Sequence, residues 1–286
     1  MNRIFSLIFI LVVMLFAQSP QTHFDHKPFD QILQKYVTDG RLNYHTLQKN
    51  RSRLEAYLEN MEKVKRADLK QWSREEKMTF WINAYNAITI EGILRNYPIH
   101  YGNVMNRLRF PKNSIRQIGG FRKTVFVKPL GKPLTLNDIE HKILRKKFKD
   151  PRVHFVLVCA SPGCPKLQNR AFFAENLEQW LEQAAMNFVG NTQNVQLNKK
   201  ENVLYLSSIF EWYKDDFTFS GANKTGITVP NNGTRQQAPA LTDFPDSVSF
   251  HLVYAYFDSM TMAADTVSVS FSRRIRKISK ESLKSV

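Results

Sequence analysis

Cysteine is scarce in this chain, which has only Cys159 and Cys164 among its 286 residues. Two thiols are too few for the disulfide framework of a small secreted protein, and a hydrophobic content of 43% is enough to bury a substantial core instead. The sequence also lacks a glycine-rich phosphate loop, a Gly-x-Ser-x-Gly elbow and a His-Glu-x-x-His helix. These absences disfavour NTPases, serine hydrolases of the elbow type and zincins, and no cofactor is predicted.

Acidic residues are in the minority: 41 lysines and arginines against 25 aspartates and glutamates give a formal net charge of +16. The basic residues are spread along the chain without a zinc finger or other nucleic-acid motif, so no nucleic-acid partner is predicted. A basic exported protein is suited to an anionic envelope surface or an acidic substrate. An ordinary solvated basic surface is the alternative.

The longest unbroken apolar run, residues 7–17, lies at the N-terminus, after Arg3 and before the polar Gln18. This is the anatomy of a secretory signal peptide, and the run is shorter than the roughly 20 residues of a membrane-spanning helix. We therefore predict a signal peptide over residues 1–17, cleaved after Ala17, and a periplasmic or secreted protein. An uncleaved N-terminal anchor is the alternative.

Hydrophobic periodicity predicts an α+β domain over residues 24–217, with a helix-rich N-terminal half packed on a small mixed or antiparallel sheet. Ser73 and Glu76 form a capping box at the start of one helix. The predicted helices are 29–37 (ended by Gly40), 46–61, 73–96, a helix capped by Thr135 or Asn137 that ends at 147, 172–188 and 207–213. The predicted strands are a hairpin over 121–134, a buried strand at 153–158, and short strands at 195–197 and 203–206.

Beyond residue 217 the composition changes. Residues 218–247 are rich in Gly, Asn, Thr, Ser and Pro, which is typical of a linker. Residues 250–257 and 267–271 are candidate strands, and residues 273–286 are strongly basic. We predict a divergent, partly disordered segment over 218–286, with a basic end that is either solvated or in contact with a membrane surface or polyanion.

Four stretches, taken together and in order, resemble the domain of unknown function 547 family. They are GRLNY at 40–44, FWINAYNA at 80–87, LNDIEH at 136–141 and DPRVHFVLVCASPGCP at 150–165. The segment 207–213 fits a later motif of the family, so the resemblance covers about residues 29–217. The resemblance implies no established activity. It suggests a distant relationship, in fold and in chemistry, to thiol hydrolases of the papain or transglutaminase kind.

The Cys-x4-Cys loop is the first candidate site. A nucleophilic cysteine needs a histidine, a cation or a helix N-terminus nearby to form its thiolate, and His141 is the predicted base for Cys164. On a strand with a period of two, His154 would face away from Cys159, which places His141 ahead of it. A small disulfide loop in an oxidising envelope and a shared metal site are the alternatives.

Asn83 and Asn86 form the second candidate site, because they lie on a helix that is apolar nearly all round and is expected to be buried. Buried amides need hydrogen-bond partners, so they either clamp the Cys loop or the 136–141 turn, or donate to a substrate oxyanion.

Glu140 is the third candidate. Its side chain should diverge from that of His141 by about 100 degrees, which leaves it free to pair with Arg152. Arg152, His154 and Tyr85 are the predicted substrate-binding residues.

Our first hypothesis is an exported cysteine-dependent hydrolase or acyl-transferase that acts on an envelope or peptide substrate. Cys164 would be the nucleophile, His141 the base, and Asn83 or Asn86 an orienting group or oxyanion donor. Cys159 would be a redox partner or a structural neighbour. The rival hypothesis is a non-enzymatic envelope binding or scaffold domain with a permanent Cys159–Cys164 disulfide.

Overall fold

A computed structural model of the chain describes residues 23–158, 165–198, 203–217 and 268–271. The predicted signal peptide, the candidate strand at 250–257, the basic end and both cysteines lie outside the described residues. No helix within the described part of the chain combines the length and the hydrophobicity needed to cross a bilayer.

Helices make up most of the described fold. Their bounds are α1 Lys27–Tyr36, α2 Tyr44–Lys49, α3 Ser52–Lys63, α4 Arg66–Gln71, α5 Arg74–Leu94, α6 Val104–Arg109, α7 Asp138–Phe148, α8 Leu177–Val189 and α9 Ser208–Trp212. Helix α7 is wound as a π-helix. Short 3-10 turns lie between them at Ile115–Gln117, Phe121–Lys123, Pro129–Gly131, Pro151–Phe155, Ala174–Asn176 and Lys214–Asp216.

The strands form two small sheets. Strands β1 (Val37–Thr38) and β2 (Arg41–Leu42) form an antiparallel hairpin. In the second sheet, the order is β3 (Val195–Asn198), β4 (Val203–Leu206) and β5 (Ser268–Phe271), with β3 antiparallel and β5 parallel to β4. The predicted α+β class and the small mixed sheet are therefore confirmed.

Helix α5 is the centre of the core. Its capping box is formed as predicted: the Ser73 hydroxyl accepts from the Glu76 N–H (3.1 Å), and the Glu76 carboxylate accepts from the Ser73 N–H (2.6 Å). Residues 78–94 are buried without exception, so the helix after its first turn presents no side to solvent, as its apolar circumference predicts. Helices α3 and α7 pack directly on it.

The predicted strand at 153–158 is wrong, because its first half is the 3-10 turn Pro151–Phe155. The Asp150 side chain accepts from the Arg152 N–H (3.0 Å), and proline at the first helical position has its φ preset for a helical turn. A short buried apolar run does not distinguish a strand from a helical segment by periodicity. The alternation argument that turned His154 away from Cys159 therefore no longer applies.

The predicted hairpin over 121–134 is also wrong, and the segment consists of two 3-10 turns. Its aromatic side chains pack on α5 at Gly92, where a Cβ would lie 2.7 Å from the Phe126 ring and 2.9 Å from the Phe121 ring. Contact with α5 therefore replaces strand pairing.

The predicted helix 46–61 is divided into α2 and α3 at Asn50, whose side-chain amide donates to the Thr46 carbonyl (3.0 Å). Similarly, the first predicted helix ends at Tyr36 rather than continuing to Gly40, which instead forms the turn between β1 and β2 with φ +76°.

Candidate functional site

Charged and aromatic side chains converge where α7, the 151–155 turn and the 213–217 segment meet. We call this group the Glu140 cluster, and its members are Tyr85, Arg122, Glu140, His141, Arg145, His154, Tyr213 and Asp216. The group lies partly on a π-helix, a winding that is rare and frequently occurs at functional sites.

Glu140 is buried at the centre of the cluster, with 2% of its surface exposed. Its carboxylate accepts hydrogen bonds from the Tyr85 hydroxyl (3.0 Å), the Tyr213 hydroxyl (2.6 Å) and the Arg122 guanidinium. Burial opposes ionisation, but Arg122 and the Tyr213 hydrogen bond hold the pKa of Glu140 below its ordinary value. Glu140 is therefore a fully paired, ionised carboxylate.

Asp216 is the second carboxylate of the cluster. It accepts from the Arg145 guanidinium through both oxygens (2.5 and 3.0 Å) and from His154 Nε2 (2.7 Å). Burial opposes ionisation here too, yet the bonds to His154 and Arg145 lower the pKa of Asp216 to about 2. A carboxylate thus holds the His154 imidazole in a fixed orientation.

Tyr213 joins the two carboxylate centres. Its ring stacks on the His154 imidazole, with 3.8 Å between the centroids, and the Arg145 guanidinium carbon lies 4.9 Å from the ring centroid on its face. Burial and the neighbouring Glu140 raise the pKa of Tyr213. Its phenol therefore stays protonated and donates to Glu140.

His141 is the more exposed of the two histidines, with 40% of its side chain accessible. Its Nδ1 lies 2.8 Å from Arg145 Nη1, and because a guanidinium only donates, Nδ1 accepts. Burial lowers the pKa of His141, and Arg145 lowers it further against the opposing effect of Glu140. The imidazole is thus held neutral with its Nδ1 lone pair occupied.

Asn86 binds the backbone that leads into the Cys loop. Its Nδ2 donates to the Val156 carbonyl (3.0 Å) and its Oδ1 accepts from the Val158 N–H (3.0 Å). One turn earlier, Asn83 forms the same pair of bonds with the carbonyl (2.8 Å) and N–H (3.0 Å) of Phe172. Both amides are clamps that fix the segments before and after residues 159–164 to α5.

Arg152 does not pair with Glu140, so that prediction is wrong. Its guanidinium binds both oxygens of Asp150 (3.0 and 2.7 Å) and the carboxylate of Glu178 (2.8 Å). Asp150 is only two positions from Arg152 along the chain, and Arg122 is the cation that Glu140 binds. Arg152, 4% exposed, thus ties the 151–155 turn to α8.

Sequence reasoning did not identify Arg122, Arg145 and Asp216 as members of the site. The Tyr213–Glu140 and His154–Asp216 contacts join residues 73 and 62 positions apart, and no motif spacing reports such contacts. Tyr213 had one available signal, since it lies in the later family motif. The roles predicted for Cys159 and Cys164 concern residues outside the described part of the chain and stay predictions.

A cavity of about 680 Å³ lies beside the segment that follows the Cys loop. It is lined by Tyr36, Thr38, Asp39, Arg41, Leu42, Asn43 and Lys166. At Gly40 a Cβ would lie 2.6 Å from the Lys166 Cβ, so the absence of a side chain there allows the β1–β2 hairpin to pack against Lys166.

No group of three or more histidine, cysteine, aspartate or glutamate side chains among the described residues is arranged to hold a metal ion. The Glu140 cluster itself offers proton transfer at an imidazole and hydrogen bonding to an anion.

Residues 69–189 match the sequence profile of a family described as protein of unknown function, DUF547. Comparison with curated proteins gave no match, and comparison with solved structures gave none either. The matched span contains both asparagine clamps, Glu140 and the Cys loop, whereas Tyr213 and Asp216 lie beyond it. The predicted resemblance to this family is therefore confirmed over residues 69–189.

Proposed function

We propose that this chain is an exported cysteine-dependent hydrolase or acyl-transferase, acting on an envelope or peptide substrate, with Cys164 as the nucleophile. The observation that carries the proposal is the His154–Asp216 pair, whose Nε2–Oδ2 distance is 2.7 Å. A nucleophile, a base and a group that orients the base are the three parts of covalent acyl-transfer sites. Here the base, His154, lies on the segment that precedes the two cysteines, and the 213–217 segment brings the orienting Asp216 into contact with it.

The geometry favours His154 over His141 as the base. Asp216 is ionised and accepts from Nε2 of His154, so Nδ1 is the nitrogen that takes up a proton, and the carboxylate stabilises the resulting imidazolium. In contrast, the Nδ1 lone pair of His141 is occupied by Arg145. His141 then has an electrostatic role next to Glu140 rather than a proton-transfer role.

The asparagine clamps support this proposal as positioning residues. Asn86 holds the N–H of Val158, the last described residue before the thiol-bearing segment, at a fixed place on α5, the helix that also carries Tyr85, a donor to Glu140. Precise placement matters, because a displacement of about 1 Å at a reacting group costs on the order of a hundredfold in rate. Since both amides are bonded to backbone, the proposal does not use them as oxyanion donors.

Thiol reactivity tests the proposal without a known substrate. In a Cys159→Ser background, the rate of alkylation of Cys164 by iodoacetamide is measured against pH. We expect a midpoint well below the ordinary thiol pKa of about 8.5, and a return toward that value in His154→Gln and in Asp216→Asn.

His141→Gln is the matched control, because it removes an imidazole from the same cluster without touching the His154–Asp216 pair, and it should leave the midpoint unchanged. Circular dichroism and thermal unfolding confirm that each variant is folded. An ordinary midpoint in the Cys159→Ser protein that carries no other substitution, or one that His154→Gln does not move, would refute the proposed base.

A specific observation favours the rival, a non-enzymatic scaffold domain. Asn83 and Asn86 are satisfied by backbone groups, and Glu140 and Asp216 are each paired with an arginine, as a purely structural core requires. The rival predicts a permanent Cys159–Cys164 disulfide. A thiol count on protein isolated without reductant from the compartment to which it is exported separates the two: no thiols under denaturing conditions favour the scaffold, and reactive thiols favour the enzyme.

A further inference from the structure

Residues 92–137 contain no aspartate or glutamate, although the chain has 25 acids in all. The same stretch holds nine basic residues: Arg95, Arg107, Arg109, Lys112, Arg116, Arg122, Lys123, Lys128 and Lys132. This segment therefore has no acid of its own to neutralise its positive charge, and the acids that pair with it from outside are Glu91, with Arg95, and Glu140, with Arg122.

The same segment also exposes hydrophobic side chains. It contributes five of the six large hydrophobic residues that are exposed in the described part of the chain: Tyr101, Val104, Met105, Leu108 and Val125. Helix α6 buries no residue at all. The apolar face of a surface helix normally packs on the core, so an exposed one indicates a contact surface.

The hydrophobic face of α6 is compact. Val104 and Leu108 are four positions apart and Met105 and Leu108 three apart, so the three side chains share one side of the helix. Their exposed fractions are 73%, 53% and 78% for Val104, Met105 and Leu108. The Tyr101 ring is covered by the guanidinium of Arg107, a residue of the same helix, at 5.2 Å.

A buried glutamine fixes this presentation. Gln117 is 4% exposed, and its Nε2 donates to the carbonyls of Asn106 (3.2 Å), Phe110 (2.8 Å) and Pro111 (3.1 Å), while its Oε1 accepts from the Gly102 N–H (3.0 Å). These bonds hold the backbone at both ends of α6, so its exposed side chains belong to an ordered segment.

We propose that this surface docks on the headgroup region of an anionic lipid bilayer. The α6 surface is defined as Tyr101, Val104, Met105 and Leu108, with Arg107, Arg109, Lys112 and Arg116 around them. Exposed apolar side chains surrounded by cations are the combination that inserts between acyl chains and binds phosphates at a membrane interface. The proposal does not depend on the thiol chemistry proposed above.

Charge of a single sign distinguishes a bilayer from a protein partner. A protein interface usually has a rim of mixed polar groups around its apolar centre, whereas the exposed charges of the α6 surface are all positive. The six residues of α6 extend about 9 Å, a length that suits shallow insertion parallel to the bilayer.

Vesicle sedimentation tests the proposal with the exported form of the full chain. We expect binding to vesicles of mixed phosphatidylglycerol and phosphatidylcholine, and little to vesicles of phosphatidylcholine alone. Arg107→Gln with Arg109→Gln should weaken binding to the anionic vesicles by about tenfold or more, and Val104→Ser with Leu108→Ser should weaken it similarly. Since all four side chains lie on the surface, the variants should remain folded.

The matched controls are Arg53→Gln with Lys63→Gln on α3, which removes the same charge elsewhere, and Trp212→Ser, which removes an exposed apolar side chain elsewhere. Binding that the controls weaken as much as the α6 variants would overturn the proposal in favour of diffuse basic charge. Equal binding to both kinds of vesicle would also overturn it. So would a wild-type dimer in sedimentation velocity that Val104→Ser with Leu108→Ser converts to a monomer, because a second copy would then cover the surface.

Discussion

The two asparagine clamps on α5 allow a prediction with an internal control. Asn86→Ala leaves the Val156 carbonyl and the Val158 N–H without their side-chain partner in a buried place. Each buried group without a partner costs about 1–3 kcal/mol, so we expect the free energy of unfolding to fall by about 2–6 kcal/mol. In a domain of this size, that corresponds to a fall in the melting temperature of about 4–24 °C.

Asn83→Ala is the matched control, since Asn83 lies one turn away on the same helix, is equally buried, and forms the same two kinds of backbone bond, with Phe172. Both variants should lose a similar amount of stability. Their local effects should differ: hydrogen exchange at the Val158 amide should accelerate in Asn86→Ala, and exchange at the Phe172 amide should accelerate in Asn83→Ala.

Urea unfolding and hydrogen exchange by NMR measure both quantities. A loss of less than about 1 kcal/mol in Asn86→Ala would mean that water or another group replaces the amide. Acceleration of both amides in both variants would mean that the two clamps act through global unfolding. Either result would refute the reasoning that each asparagine holds its own segment.

Two further predictions concern pH. The pKa of Glu140 is held below its ordinary value of 4.5, so its ionised form stabilises the fold above that value and the stabilisation is lost as the pH falls through the lower folded-state pKa; Glu140→Gln should therefore show a shallower decline of unfolding free energy below about pH 4.5 in urea titrations. Burial lowers the pKa of His26 from 6.5 to about 3, so the unfolded chain binds a proton that the folded chain does not, and stability should fall as the pH decreases from 6.5 toward 3, with a slope of up to about 1.4 kcal/mol per pH unit. His26→Gln should remove that slope while keeping a hydrogen-bonding group for Tyr57; an unchanged slope would assign the effect to another residue.

Local signals predicted α5 well, whereas α4 and α6 were not predicted. The capping box of Ser73 and Glu76 and the apolar circumference of α5 are both properties of a short stretch of chain, so its start and its burial could be predicted. The segment 151–155 could not, because Asp150 and Pro151 favour a helical turn while the following valines favour a strand. The competition is decided by the capping bonds, which the periodicity does not report.

The candidate site was predicted less completely than the fold. The sequence identified Glu140, His141 and His154 as candidate site residues, but it did not identify the side chains that they contact, which determine their chemistry. Arg145 contacts Asp216 across 71 positions. Helix α7, which carries the His141–Arg145 contact, is π-helical, and hydrophobic periodicity does not distinguish this winding from an α-helix. Long-range pairing of this kind depends on the folded topology rather than on spacing along the chain.

The central position of α5 has a consequence for dividing the protein into parts. Because α5 is buried on every side over residues 78–94, other elements must pack all around it. They include α3 and Phe24, whose ring packs edge-on against Phe80. A fragment of residues 69–189 would contain α5 but lack α3 and Phe24, and Glu140 would lose its hydrogen bond from Tyr213 as well. Residues 69–189, which match the family profile, are thus fewer than the residues needed for a stable fold. A protein truncated to this range should expose apolar surface and aggregate.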